Sequence, residues 1–308
     1  MNIIGLMLVV PLAACDPEPV RGPASEPVER IEASRLRFDA ALGRAAAPVS
    51  VVPLLADTGA QPAPVPAPVQ LRDALAAVAP DGVAVAMVAT PRAEPDHASE
   101  PPLAIVATID LAAYQPVLVA AQTGTDGVAL LTADGADVVL GSAFVAEFSP
   151  LQPLGLLQVD GALRSELQPY GYTRVLGFSE GQVGVVGRGN FHRGLFESAL
   201  QVGPGIIEQG RLDISERELK LPAFFRTFLM HCGERVVVGA STRPIHLRTL
   251  GIALLDFAAE RGLQCDEAVN LSGDREALLG IRSATEAVVL GNPRVKKTAL
   301  IGFRARPL

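Results

Sequence analysis

The chain has no tryptophan and only three tyrosines among its 308 residues. A base-stacking surface or an aromatic sugar platform therefore has little material. Basic residues are outnumbered, 26 Lys and Arg against 33 Asp and Glu, which gives a net charge of −7. That balance argues against a non-specific binder of phosphate backbones, so nucleic acid is not an expected partner. The four histidines, His97, His192, His231 and His246, show no metal-ligand spacing, and no metal site is expected. There is no phosphate-binding P-loop, no dinucleotide glycine fingerprint after a strand and no Gly-x-Ser-x-Gly elbow, so no cofactor is expected. Cysteine is scarce as well: Cys15, Cys232 and Cys265 are the only three.

What is present at the N-terminus is a short apolar run, Ile3 to Pro11, too short to span a bilayer. It leads into Leu12-Ala13-Ala14-Cys15, which resembles the bacterial lipobox, where a small residue precedes a cysteine that becomes lipidated. We read residues 1–15 as a lipoprotein-type signal peptide ending at Cys15; an ordinary signal peptide is the alternative. Residues 2–6 carry no Lys or Arg, which is unusual for such a leader. Asp16 resembles the inner-membrane retention signal of enteric lipoproteins. The expected location is the periplasmic face of a bacterial membrane, with Cys15 as the membrane contact. Export would place Cys232 and Cys265 in an oxidising compartment, where they could bridge or remain two buried thiols.

Proline divides the rest. Sixteen of the 25 prolines fall in residues 1–102, with Pro62, Pro64, Pro66 and Pro68 on alternate positions. Such a run favours extended polyproline geometry, and residues 16–81 read as a Pro/Ala-rich linker, with helical pieces at Val28 to Arg44 and Gln70 to Val78. The folded domain is expected over residues 82–308, beginning with a strand at Val83–Val88. From Leu103 onward, short apolar runs alternate with Gly, Asp and Pro. Strands are expected at Leu103–Ile109, Val117–Ala121, Val138–Phe144, Leu154–Val159, Thr173–Phe178, Val183–Gly187 and Ser198–Val202. Further strands are expected at Phe228–Cys232, Arg235–Ala240, Glu267–Leu271, Ala277–Arg282 and Thr298–Phe303. Turn signals stand between them, at Asp134-Gly135, Asp160-Gly161, Glu180-Gly181, Gln209-Gly210 and Cys232-Gly233. One segment is strongly helical: Leu247, Leu250, Leu254, Phe257 and Ala258 share a face over residues 247–261, and Gly262 follows as a stop. The expected class is α+β, a β-rich mixed-sheet core with one main helix.

The polar turn after the apolar run Glu267–Leu271 holds an amide, a hydroxyl, a glycine and a carboxylate: Asn270, Ser272, Gly273 and Asp274. Earlier come Gly141-Ser142-Ala143-Phe144, then Gln201-Val202-Gly203-Pro204, then Arg226-Thr227. This ordered set resembles the phosphodiester glycosidase family, the bacterial relatives of N-acetylglucosamine-1-phosphodiester α-N-acetylglucosaminidase, over about two thirds of the chain. The Gln-x-Gly-Pro and Arg-Thr elements match. The first element lacks the family's asparagine and both glycines. In the last, Asn270, Leu271 and Gly273 match the family's Asn-Leu-Asp-Gly-Gly, Ser272 replaces the aspartate and Asp274 replaces the second glycine.

The resemblance implies hydrolysis of a sugar-1-phosphodiester through an oxocarbenium-like transition state, which calls for a cation near the phosphate and a carboxylate near the anomeric carbon. On that basis Arg226 would hold phosphate, or else pair with a structural carboxylate. Asp274 would be the local acid, or else a solvated loop residue, since Ser272 supplies no carboxylate. Asn270 would orient a sugar hydroxyl; Thr227, Ser272, Gly273, Gln201 and Gly203 would line or shape the site. Asp160 reads as a hairpin turn, and His192 as a residue of a glycine-flanked surface loop. Three readings follow: a hydrolase of sugar-phosphodiesters or envelope glycans, a catalytically inactive relative that binds a glycan or phosphate, and a scaffold for protein contacts.

Overall fold

The computed structural model describes residues 49–52, 67–91, 101–125, 127–132, 135–141, 144–148, 150–293 and 295–307. Cys15, the helical reading at Val28 to Arg44, and most of the alternating prolines lie outside the described residues. All described residues fall in one unit, Ala41–Leu308.

Two large sheets build the core. The seven-stranded sheet runs Arg211–Leu212, Gly205–Glu208, Glu267–Gly273, Arg226–Cys232, Arg235–Ser241, Ala104–Asp110, Val83–Val88. The six-stranded sheet runs Val49–Val52, Ala287–Gly291, Leu278–Arg282, Val138–Gly141, Lys297–Ala305, Tyr114–Thr125. It is mixed, because Val49–Val52 pairs in parallel with Ala287–Gly291 while its other pairs are antiparallel. A five-stranded antiparallel sheet (Gln182–Gly187, Arg174–Ser179, Ser198–Val202, Leu157–Val159, Ala162–Ser165) and a small hairpin of Val145–Phe148 with Leu151–Pro153 complete the strands.

The continuous apolar runs of the sequence follow from burial on both faces of the seven-stranded sheet. Side chains alternate along each strand. Ile105, Ala107, Leu229, Val238, Val269 and Leu271 enter one cluster, together with Leu140, Ile281 and Ile301 of the other large sheet. Ala104, Val106, Phe228, Met230, Val237 and Ala268 enter a second cluster, closed by Leu250, Leu254 and Phe257 of the helix Leu247–Glu260. That helix is the one expected over residues 247–261.

Two pieces of the expected 16–81 linker are part of the fold. Val49–Val52 is an edge strand. The helix Pro68–Val78 starts with Pro at its first position, and it buries Leu71, Leu75 and Val78 in the main core. The sequence pattern hid the strand between Pro48 and Pro53, which an edge strand tolerates. A third helix, Gly127–Thr132, packs on the six-stranded sheet. The expected strand Val138–Phe144 stops at Gly141. The expected strand Leu154–Val159 starts only at Leu157, because Gly155 at φ +92° interrupts it.

Hairpins fall at four of the five turn signals, and Asp134 of the remaining Asp134-Gly135 signal lies outside the described residues. Asp160 and Gly161 both have positive φ (49° and 76°) between strands paired Val159 to Ala162, the type I′ geometry that matches strand twist. Glu180-Gly181 and Gln209-Gly210 repeat it. Cys232 and Cys265 form a disulfide that ties the end of the Arg226–Cys232 strand to the segment before Glu267–Gly273.

Candidate functional site

Strands distant in sequence converge at the C-terminal end of Glu267–Gly273. On one side, Gly203 donates its N–H to the Asn270 carbonyl (3.0 Å), and Asn270 returns its own N–H to the Pro204 carbonyl (3.1 Å). The Asn270 amide nitrogen donates to the carbonyls of Gly203 (3.1 Å) and Leu271 (3.0 Å), which fixes the orientation of the amide. Its Oδ1 is buried and has no hydrogen-bond partner among the described residues. Gly203 sits at φ +137° before a cis peptide to Pro204, and a Cβ there would meet the Thr173 backbone nitrogen at 2.9 Å. Only glycine fits that position.

Gln201 is fully engaged in holding loops together. Its Oε1 accepts from the N–H groups of Leu156 (3.2 Å) and Gln168 (2.9 Å), and its Nε2 donates to the carbonyls of Gln168 and Tyr172 (both 2.9 Å). Thr227 is buried, and its hydroxyl accepts from the Leu278 N–H at 3.0 Å, joining the two large sheets. The Gln201 amide has no capacity left for a ligand in this arrangement, and the Thr227 hydroxyl is held at the junction of the sheets.

Ser272 is fully buried and donates its hydroxyl to the Glu276 carbonyl at 3.0 Å. It lies against Gly141: a Cβ on Gly141 would collide with the Ser272 Oγ and would meet the Glu276 carbonyl at 2.6 Å. The Gly141 end of the first motif therefore reaches the last motif. Ser142 and Ala143 lie outside the described residues, and Phe144 stacks on Tyr172 with ring centroids 4.1 Å apart.

On the other side, Gly273 pairs with Arg226 across the sheet. The Arg226 guanidinium lies 5.0 Å from the Phe224 ring centroid and 3.9 Å from the Glu218 carboxylate. Burial pushes its pKa down, and the Glu218 and Asp274 carboxylates oppose that shift. Glu218 is already committed: it accepts from the N–H groups of Leu247 (2.8 Å) and Arg248 (3.2 Å), capping the first turn of the Leu247–Glu260 helix. Asp274 follows at φ +51°, anchored by its N–H to the Phe225 carbonyl (2.9 Å), and it is exposed. Gly203 with Asn270, Gly141 with Ser272, and Arg226 with Gly273 thus meet at one strand end, where a register shift between the Phe228–Asn270 and Arg226–Gly273 pairs separates Asn270 from Ser272 and Asp274 stands at the surface.

The sequence pattern missed four further residues of this region, Lys297, Glu276, Glu218 and Tyr172. Lys297 is fully buried beside Ser272 and Gly141, with its Cε 3.4 Å from where a Gly141 Cβ would stand. Burial pushes its pKa down to about 8, against the opposing pull of Glu276. Burial also raises the Tyr172 pKa, with Glu276 adding to the shift, so Glu276 acts on both groups. No local signal in the sequence marks Lys297, one residue before the strand expected at Thr298–Phe303, as enclosed.

Asp160 occupies its hairpin turn and accepts from Ser198 Oγ at 3.4 Å. It borders a cavity of about 380 Å³ with Ser198, Glu197, Phe178 and Arg304, and none of the motif residues lines that cavity. His192 is exposed in its loop. Among the described residues, no group of three or more His, Cys, Asp or Glu is placed to hold a metal.

The class defined so far is a β-rich, multi-sheet protein with a polar strand end at the junction of its two large sheets. No protein-family model matches this chain, and no curated protein matches it. Among solved structures, it is similar to the catalytic domain of zebrafish N-acetylglucosamine-1-phosphodiester alpha-N-acetylglucosaminidase auto-inhibited by its pro-peptide. The identity is 13%, the alignment covers 83% of this chain and 98% of that one, and the TM-score is 0.49. A hypothetical protein from Synechocystis aligns at 14% identity over 67% of this chain and 59% of that one, with a TM-score of 0.44. Likeness at this level leaves the chemistry to be read from the chain's own side chains.

Proposed function

We propose that the chain is an envelope lipoprotein that binds a sugar-phosphate or glycan ligand at this strand end without hydrolysing it. The observation that carries the reading is at Ser272. The motif resemblance calls for an aspartate there. The serine hydroxyl is instead buried and donated to the Glu276 carbonyl, while the nearest acid in sequence, Asp274, stands in solvent. An oxocarbenium-like transition state needs a carboxylate close to the anomeric carbon, and this arrangement offers none at that position. Arg226 remains as a mostly buried cation near the Glu218 and Asp274 carboxylates.

Export is supported by the Cys232–Cys265 disulfide, which persists in oxidising compartments. Lipidation of Cys15 rests on the sequence motif, and mass spectrometry of the membrane-extracted protein reads it directly. A diacylglyceryl group on Cys15 is expected; an unmodified N-terminus at residue 1 or 16 would remove the anchor.

The hydrolase reading keeps one supporting observation: Asp274 is close enough to Arg226 to favour its charge. Incubating the purified chain with a UDP-sugar separates the two. Binding without turnover, weakened in Arg226→Gln, is expected. Release of the phosphate moiety that is lost in Asp274→Asn would establish the hydrolase instead.

A further inference from the structure

The cavity of about 380 Å³ shares no residue with the strand end. Its size falls within the roughly 300–1,000 Å³ of small-ligand sites. Part of its wall is residues 116–120 of Tyr114–Thr125, the edge strand of the six-stranded sheet. Another part is the Asp160 turn with Phe178, Ser179, Glu197 and Ser198, at strand ends of the five-stranded sheet. Arg304 lines it too, and differs from other arginines of the chain. Arg174, Arg226 and Arg282 also leave Nε unpaired, but each sets a terminal nitrogen against a carboxylate. Arg306, two residues on, donates to the Leu111 and Gly181 carbonyls (both 3.0 Å). The half-buried Arg304 has an enclosed, unpaired Nε, and no hydrogen bond or ion pair holds its guanidinium among the described residues.

The two acids of the cavity wall stand on pinned backbone. The Asp160 N–H donates to Ser198 Oγ (2.9 Å), and that hydroxyl donates to Asp160 Oδ1 (3.4 Å). The Glu197 N–H donates to Ser179 Oγ (2.9 Å), and the Glu197 carbonyl accepts from the Gly161 N–H (2.6 Å). Neither carboxylate forms an ion pair among the described residues. One cation and two carboxylates thus line a single cavity without neutralising one another. Charges in such a recess act on a ligand more strongly than the same charges in open water.

We propose that this cavity is a second binding site, for a small zwitterion of the amino-acid or dipeptide type. The ligand carboxylate sits on the Arg304 guanidinium, whose planar fork matches it with two parallel hydrogen bonds. The ligand ammonium has three donors, and Asp160 and Glu197 accept them. A phosphate would meet two carboxylates here, and a simple cation would meet Arg304, so the site selects for both signs together.

The test is calorimetric titration of the full chain with alanylalanine, its N-acetyl derivative and its C-terminal amide. The zwitterion is expected to bind about tenfold or more tightly than either derivative. Arg304→Gln is expected to weaken the zwitterion by about tenfold and to leave the amide as tight or tighter. The double variant Asp160→Asn, Glu197→Gln is expected to weaken the zwitterion and tighten the N-acetyl derivative. Asparagine keeps the positive φ that position 160 requires. Opposite responses of the two derivatives in the two variants cannot come from loss of folding, which would weaken every ligand. Absence of alanylalanine binding overturns the proposal. So does a wild type that binds either derivative as tightly as the zwitterion, or an Arg304→Gln chain that keeps the wild-type preference.

Discussion

A lysine that is charged in water and enclosed in the fold works against folding, and Lys297 gives that effect a direction in pH. Its pKa is near 10.5 in the unfolded chain and about 8 in the folded one. Between those values the unfolded state holds a proton that the folded state has released, so stability rises with pH across that window. Below about pH 8 both states are protonated and the full penalty applies. At 1.36 kcal/mol per unit, the penalty is about 3 kcal/mol at pH 7. Lys297→Met is therefore expected to be more stable than wild type by about that amount at pH 7, and the two should converge above about pH 10.5. Urea titrations of both chains across pH 7–11 check it, and a constant difference over that range would refute it. The comparison with the variant is needed because Tyr114, pushed up to about 12 by burial, titrates in the opposite sense at the alkaline end. Residue identity was the least legible level of the sequence. The motif named Asn270, Ser272 and Arg226; Arg226 lies across the sheet from Gly273, and a register shift separates that pair from Asn270. It did not show that Gln201 and Thr227 use their polar groups on backbone partners 29 to 51 positions away, nor that Lys297 is enclosed against Gly141, because these contacts form only when distant segments pack.

Elements were more legible, since period and turn chemistry are local. The Asp160-Gly161, Glu180-Gly181 and Gln209-Gly210 signals gave hairpins with two positive-φ residues, and the periodic apolar face gave the Leu247–Glu260 helix. The strands Gly205–Glu208 and Ala287–Gly291 escaped, being short and next to glycine and proline signals that read as turns. The helix start escaped in another way. His246 occupies its N-cap with no side-chain cap, and the cap comes from Glu218, 29 residues earlier than Leu247. Glu218→Ala is expected to cost about 1–2 kcal/mol and to speed amide exchange at Leu247 and Arg248. Unchanged exchange at those two amides would show that the cap is not what holds the first turn. The disulfide is the second element-scale clamp. It closes a loop of sequence separation 33, and the chain-entropy relation gives about 4 kcal/mol for that length. Replacing both Cys232 and Cys265 with serine should lower the urea midpoint accordingly, and wild type in reductant should follow it. A double variant as stable as the oxidised wild type would show that the bridge adds nothing the packing does not already supply.

At the scale of the whole molecule, the question is where the cooperative unit begins. Proline content alone places the start near residue 82, and the packing places it earlier. Leu71, Leu75 and Val78 are 3%, 1% and 1% exposed within the same cluster as Leu140, Leu279 and Ile301. Burying three such side chains stabilises by roughly 6 kcal/mol, against total stabilities of about 5–15 kcal/mol for ordinary domains. Losing the helix also uncovers apolar surface on the six-stranded sheet, and losing Val49–Val52 leaves Ala287–Gly291 as an unprotected edge. A chain trimmed to residues 82–308 is therefore expected to lose its sharp thermal transition, bind a hydrophobic dye and aggregate. A chain of residues 48–308 should keep the full-length midpoint, and one of residues 67–308 should fold with a lower midpoint, because it retains the helix without the edge strand. Sharp, coincident transitions for the 82–308 and 48–308 chains would mean that the helix is a passenger and that the strand Val83–Val88 is the true boundary. The same series bears on the strand end at Ser272. Arg226 and Asn270 are held by sheets that the trimmed chain must still form, so ligand binding that vanishes together with the thermal transition would place the site in that cooperative unit.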